Sequence, residues 1–197
     1  MSLHPDWSFF GPNFPSRQAL LDARDRVFQR HRNTQFIAVH FANNPEDIDA
    51  VDRLLDSHPN VVVDIAARVP ELGRHPPAAI RALFTKHQDR ILFGSDLGFS
   101  SQQIMLGSVG KERPTVYDIF EFYARHEAWL ETDEQRMQHP TPIQGNWRID
   151  GAALPPQVLE KIYWRNALRV IWQTNGDRAR ERLYLNGRPD MSVYYPH

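Results

Sequence analysis

Apolar residues in the first half of the chain fall into two kinds of run that alternate. Three short runs, Phe36 to His40, Val61 to Ile65 and Ile91 to Asp96, each open on three or more consecutive apolar residues. That is the habit of parallel strands covered on both faces. Around them, apolar residues recur at helical spacing: Leu20, Leu21, Val27 and Phe28, then Ile48, Val51, Leu54 and Leu55, then Ile80, Leu83 and Phe84. The helices have readable starts. Ser16 is placed to cap the first. Asn44 is placed to cap the second, with Pro45 at its first position and Glu46 and Asp47 in a first turn where carboxylates suit the helix dipole. Pro77 opens the third. Each helix is followed by His-x-Asn or His-x-Asp, at His31-Arg32-Asn33, His58-Pro59-Asn60 and His87-Gln88-Asp89, at intervals of 27 and 29 residues. Helix and strand alternating at this period predict successive right-handed βα units on a parallel sheet.

After Asp96 the plan changes. The pattern predicts an N-terminal loop segment over 1–17, βα units over 18–98, an insertion or lid over 99–152, a closing helix over 153–174 and a polar, loosely held tail over 175–197. Within the insertion, Tyr117 to Leu130 is expected to be helical, with Ile119, Phe122, Tyr123 and Trp129 on its buried side. Gly145 to Gly151 is expected to be loop. The last helix should begin near Pro155-Pro156 and bury Leu159, Ile162, Tyr163 and Val170. The fold class is therefore α/β.

The bulk numbers narrow the setting. With 197 residues the chain can bury a real core. A formal net charge of −1 gives no basic footprint for nucleic acid or an anionic membrane surface. There is no cysteine, so disulfides and thiolate metal sites are excluded, and any metal must be held by His, Asp or Glu. No apolar run approaches the roughly 20 residues of a membrane span. The first residues, Met1 to Pro5, lack the basic start and apolar core of a signal peptide, so a cytoplasmic setting is expected.

In βα folds ligands bind where the strands end. His40 and Asp96 are each expected to be the last residue of a strand, and each lies nine positions after its repeat's histidine. An imidazole and a carboxylate on one rim can bind a metal or share proton transfer. A bland reading stands beside this one: His40 donating to a carbonyl and Asp96 capping a turn. Asp64, within its strand run, is expected to orient a ligand histidine. Arg68, at that strand's exit, could meet a substrate carboxylate bidentately, although a solvated loop arginine has the same sequence context. His31, His58 and His87 fall at helix C-termini, where a cationic imidazole suits the dipole, and read as structural. His4, His75, His126 and His139 read as surface residues.

Several of these segments resemble a known family. Phe36-Ile-Ala-Val-His40-Phe-Ala-Asn-Asn-Pro45 resembles the sixth strand and turn of the amidohydrolase-related family, in the branch that includes aminocarboxymuconate semialdehyde decarboxylase. Asn60-Val-Val-Val-Asp64 is similar to its seventh strand, Arg90-Ile-Leu-Phe-Gly-Ser-Asp96 to its eighth, and Ile162-Tyr-Trp-Arg-Asn166-Ala167-Leu168-Arg169 to its closing helix. The resemblance runs from about residue 16 to residue 172. It implies about the last three strands of a (β/α)8 barrel, a partial TIM-barrel-like unit carrying a helical and loop insertion and a closing helix. It implies a divalent metal, zinc first, with Asp96 and His40 as metal ligands and catalytic groups. The implied chemistry is hydrolysis by metal-activated water, or non-oxidative decarboxylation, of a small-molecule substrate. Trp147 and Arg148 of the insertion, with Arg68, would contact that substrate.

The family's first-strand His-x-His pair is absent; no His-x-His occurs in the chain. The rival expectation is accordingly a non-catalytic α/β binding domain on the same fold. Three strands of a barrel also leave two open edges, so self-association, or pairing with a missing N-terminal half, is expected.

Overall fold

The computed structural model describes residues 11–99, 103–107, 114–141 and 145–172. His4 and the tail from residue 173 lie outside the described residues. The core of the molecule is a parallel sheet in the order β1 (Phe36–Ala38), β2 (Val61–Asp64), β3 (Ile91–Leu92). Phe36 pairs with Val61, Ala38 with Val63 and Asp64 with Leu92. Helix α1 (Arg17–Arg30) precedes β1, α3 (Ile48–Ser57) joins β1 to β2, and α5 (Pro77–Lys86) joins β2 to β3. Two single turns, α2 (Val39–Ala42) and α4 (Val69–Leu72), follow the ends of β1 and β2. The predicted parallel βα repeat is thus present.

Local chemistry accounts for most helix ends. The Ser16 hydroxyl accepts the Ala19 amide at 3.1 Å, as its position predicts. Pro77 is the first residue of α5. His31, His58 and His87 are the C-caps of α1, α3 and α5. Helix α3 is a correction: its cap is Asp47, which accepts the Ala50 amide at 2.9 Å, and not Asn44. The Asn44 side chain is taken by Arg17 across the loop, and the chain makes one more turn before the helix begins.

The apolar stripes of α3 and α5 are buried as read: Val51, Leu54 and Leu55, and Ile80, Leu83 and Phe84. In α1 only Phe28 is buried, while Leu20 and Val27 stay exposed, because α1 packs over the edge strand and meets the core at one point, Phe28 against Phe36 at 5.0 Å.

The insertion holds short strands besides the helix and loop expected of it. It opens with a hairpin, β4 (Leu97–Phe99) and β5 (Ile104–Leu106), and continues through α6 (Val116–Glu131), close to the predicted span. Gly145 to Gly151, expected as loop, contributes β7 (Arg148–Ile149), which pairs with β6 (Met137–Gln138). Trp129, Leu130, Met137 and Ile149 enter the same core as the sheet's helix-facing side, and Trp129 meets Phe84 edge-on at 5.9 Å.

The closing helix begins at Pro156 with α7 (Pro156–Glu160), passes through a π-helical turn over Lys161–Arg165, and ends as α8 (Asn166–Ile171). It buries Val158, Ile162 and Leu168, whereas Leu159, Tyr163 and Val170 are half-buried. In the π turn the Asn166 amide reaches back to the Lys161 carbonyl. The Ile162 carbonyl accepts the Phe93 amide at 2.9 Å, and the Asn166 side chain donates to Ile91 O at 2.8 Å and Gln88 O at 2.7 Å. These groups occupy the outer edge of β3. Among the described residues the sheet therefore has one open edge, β1, and not the two expected.

Two strands stop short of the residues expected to end them. β1 ends at Ala38 because the next residues turn left-handed and drive Phe41 and Ala42 into the core. β3 ends at Leu92 because the Phe93 amide turns to the closing helix. His40 and Asp96 thus sit in the loops after their strands, two and four residues beyond the last strand residue, and their matching offsets are not a matching register.

Candidate active site at the strand ends

His40, Phe41, Ala42 and Asn43 all have φ between 52° and 57°, a left-handed turn without glycine. Such backbone costs roughly 1–2 kcal/mol per residue relative to right-handed helix. Burial of Phe41, stacked on Phe84 at 5.9 Å, helps to offset it. The turn is held by Asp64, the last residue of β2. Its Oδ1 accepts the His40 amide at 2.8 Å and the Ala66 amide at 3.1 Å. The His40 ring donates through Nδ1 to the Ala66 carbonyl at 2.8 Å. That bond sets the tautomer and leaves Nε2 as the side chain's remaining lone pair.

Asp96 is exposed, with φ 62°, in the loop between β3 and β4. Its carbonyl accepts the Gly107 amide from β5's end at 3.1 Å. A Cβ at Gly94 would stand 3.1 Å from that of Ala66, a tighter contact than ordinary packing. Burial pushes the Asp64 carboxyl above the usual range; the two backbone amides and His40 oppose this, and the charge of Asp96 adds to it. Asp64 therefore feels both His40 and Asp96, and the three groups share one end of the sheet.

Arg68 lies beside them as the N-cap of α4. It donates to Asn43 Oδ1 at 3.4 Å and faces Glu71 at 3.9 Å. Arg68 Nε and Glu71 Oε2 are buried with no partner, and burial raises the Glu71 carboxyl. Trp147 and Arg148 line a cleft that none of the rim groups enters. The Trp147 ring stands 4.9 Å from that of His139, and its Nε1 donates to Pro70 O at 2.8 Å. Arg148 is exposed beside them, and the shallow cleft of about 140 Å³ lined by Gln138, His139, Gly145, Asn146, Trp147 and Arg148 contains none of the three rim groups. The structure places His40, Asp64, Asp96 and Arg68 at or after the same ends of the parallel strands and does not add Arg148 to them.

Three features escaped the sequence. His126 and His139, expected on the surface, are buried. His126 donates through Nδ1 to Phe122 O at 2.8 Å and lies among Phe93, Phe122 and Tyr123, and burial depresses its pKa to about 4. His139 is likewise lowered by burial. Its partners are Gly145 O at 2.9 Å and the Thr141 amide at 3.3 Å. The helical spacing of His126 with Phe122 and Trp129 was the available signal for its burial.

The third feature is a set of donors, Asp52, Asp56 and His87, within 4.8 Å of one another, which could hold a metal ion. The i, i+4 aspartates were its sequence signal. Lys86 Nζ lies 2.7 Å from Asp52 and 2.8 Å from Asp56, and His87 Nε2 2.6 Å from Asp52, so the carboxylates are already paired with cations or donors. The Lys86 hydrogen bond, first among the causes, holds the Asp52 carboxyl low. This set lies where β3 begins, away from the rim.

Parallel βα units with imidazole and carboxylates gathered past the strand ends define an α/β scaffold of the kind whose ligands bind at that rim. The chain belongs to the amidohydrolase family, whose family model matches residues 1–171. No curated protein and no solved structure shows a significant match. The family's fold is TIM-barrel-like α/β, and its enzymes act on small molecules and are generally metal-dependent. No helix among the described residues is long and apolar enough to cross a membrane.

Proposed function

We propose that the rim formed by His40, Asp64 and Asp96 belongs to the active site of a metal-dependent hydrolase, or a non-oxidative decarboxylase, of the branch that includes aminocarboxymuconate semialdehyde decarboxylase. The observation that carries this reading is the Nδ1 bond from His40 to the Ala66 carbonyl, which leaves Nε2 as a ligand atom on the same sheet end as two carboxylates. One imidazole with carboxylates fits a borderline ion such as zinc in donor type. In number the rim donors fall short of a tightly held ion, and among the described residues they are not gathered within 4.8 Å as Asp52, Asp56 and His87 are. When bound, a divalent ion supplies nucleophilic water at neutral pH.

His40 Nε2 and the Asp96 carboxylate would hold that ion. Asp96 takes the proton given up by the attacking water and returns it to the leaving group. Asp64 fixes the His40 backbone rather than touching substrate. Arg68, whose partly exposed guanidinium makes a 3.4 Å hydrogen bond to Asn43 and a 3.9 Å ion pair with Glu71, is the group for a substrate carboxylate. Trp147 and Arg148 would meet only the distal part of a larger substrate. A cytoplasmic setting, and association of chains through the open β1 edge, complete the proposal. The absent His-x-His favours the rival reading, a binding domain that uses the same rim without a metal.

One substitution separates the two. In the assembled, zinc-loaded protein, Asp96→Asn should keep the fold and lower turnover at least about 100-fold, since the amide is a poor ligand and accepts no proton. Near wild-type turnover in that variant would overturn the reading.

A further inference from the structure

Asp96 is exposed and has a left-handed backbone, so the turn it sits in is held by its neighbours. The Ser95 hydroxyl lies 3.2 Å from the Tyr123 hydroxyl of α6 and accepts the Leu97 amide at 3.3 Å. One side chain thus ties the residues on both sides of Asp96 to the insertion helix. Tyr123 is itself fixed, with its ring stacked on Phe93 at 6.3 Å and edge-on to Phe122 at 5.7 Å. From the other side, β5 closes on the same turn. The Gly107 amide donates to Asp96 O, and a Cβ on Gly107 would lie 3.5 Å from the Ser95 carbonyl.

We propose that Tyr123 is a positioning residue for Asp96: acting through Ser95, it holds the Gly94–Leu97 turn and so aims the Asp96 carboxylate at the rim that His40 faces. The inference rests on the reading of Asp96 as a metal-facing group. It makes the insertion part of the site's support, through a hydroxyl and not through Trp147 or Arg148. Tyr123→Phe keeps the ring packing and removes only the tie. A supporting hydrogen bond of this kind changes metal affinity without adding a ligand.

The test uses the full chain with Co²⁺ alone as the probe, alongside NMR three-bond couplings of Asp96. The HN–Hα coupling reports its φ and the Hα–Hβ couplings its rotamer. Tyr123→Phe and Ser95→Ala should each average the Asp96 couplings and weaken Co²⁺ binding about tenfold. The double variant should be no weaker than either single one, because both act through one path. The couplings of His40 should not move. Unchanged Asp96 couplings and Co²⁺ affinity in Tyr123→Phe, with Co²⁺ binding lost in Asp96→Asn, would overturn the inference and leave the reading of Asp96 standing. Unchanged Co²⁺ affinity in Asp96→Asn would overturn the reading itself, and the inference with it.

Discussion

At the residue scale, His126 shows what burial does to a titratable group. Its ring is fully enclosed, its Nδ1 is committed to Phe122 O and its Nε2 has no partner. The folded chain keeps it neutral, with a pKa of about 4 against the usual 6.5. Between those two values the unfolded chain binds a proton that the folded chain refuses. The stability associated with neutral His126 is therefore fully present above pH 6.5 and is lost as pH falls towards 4, with a slope of up to about 1.4 kcal/mol per pH unit. Urea unfolding across that window should be less steep in pH for His126→Leu than for the wild type. NMR of the folded wild type should show the His126 ring neutral at pH 5.5. A ring that protonates near pH 6.5 would show that its enclosure has been misjudged.

At the scale of elements, the closing helix does more than cover the sheet. A π turn carries Ile162 O and the Asn166 side chain to the outer edge of β3, where a closed barrel would have its next strand. Asn166 is buried, and its amide serves two carbonyls, Gln88 O and Ile91 O. Asn166→Ala leaves both without that donor and should cost about 1–3 kcal/mol in urea unfolding. A loss under about 0.5 kcal/mol would mean that water replaces the amide at that edge, and that β3 is less sealed than its hydrogen bonds imply.

For the molecule as a whole, the asymmetry of the sheet has a consequence. With β3 sealed, β1 is the edge open to another strand among the described residues, and Ile37 in it and Val39 just beyond its end are exposed, at 41 % and 52 %. Val62 and Leu92, on the same face, are buried. Covering a Val or Ile side chain stabilises by roughly 1.5–3 kcal/mol, and an open edge adds unpaired backbone groups. Light scattering is expected to show a dimer or larger species, and Val39→Lys to shift it towards monomer. Metal analysis after dialysis is expected to give well under one ion per chain, since His40 and Asp96 alone make a weak site and Lys86 already pairs with Asp52 and Asp56 beside His87. A monomer holding a stoichiometric ion would contradict both expectations.

The sequence by itself determined the features whose causes are local. The parallel βα repeat follows from the period of apolar residues, and Ser16, Pro77 and Pro155-Pro156 mark helix starts through groups within one turn of the end they set. The histidines of the repeat cap the C-termini at which their spacing puts them, and the matched residues 1–171 span the segments that carry the family resemblance. The proposed rim was half legible. The sequence places His40, Asp64, Asp96 and Arg68 near strand ends because such ends can be located to within a few residues, but a shared register for His40 and Asp96 is absent, since non-local partners stop β1 and β3 early. Only the tertiary structure decided that Arg17 would take Asn44 and leave Asp47 to cap α3, that His126 and His139 would be enclosed, that Asp52 would meet His87 and Lys86, and that Tyr123 would reach Ser95. Each of these depends on a partner brought close by folding, or on the removal of water. Neither desolvation nor a contact between distant residues leaves a period or a motif in a single chain.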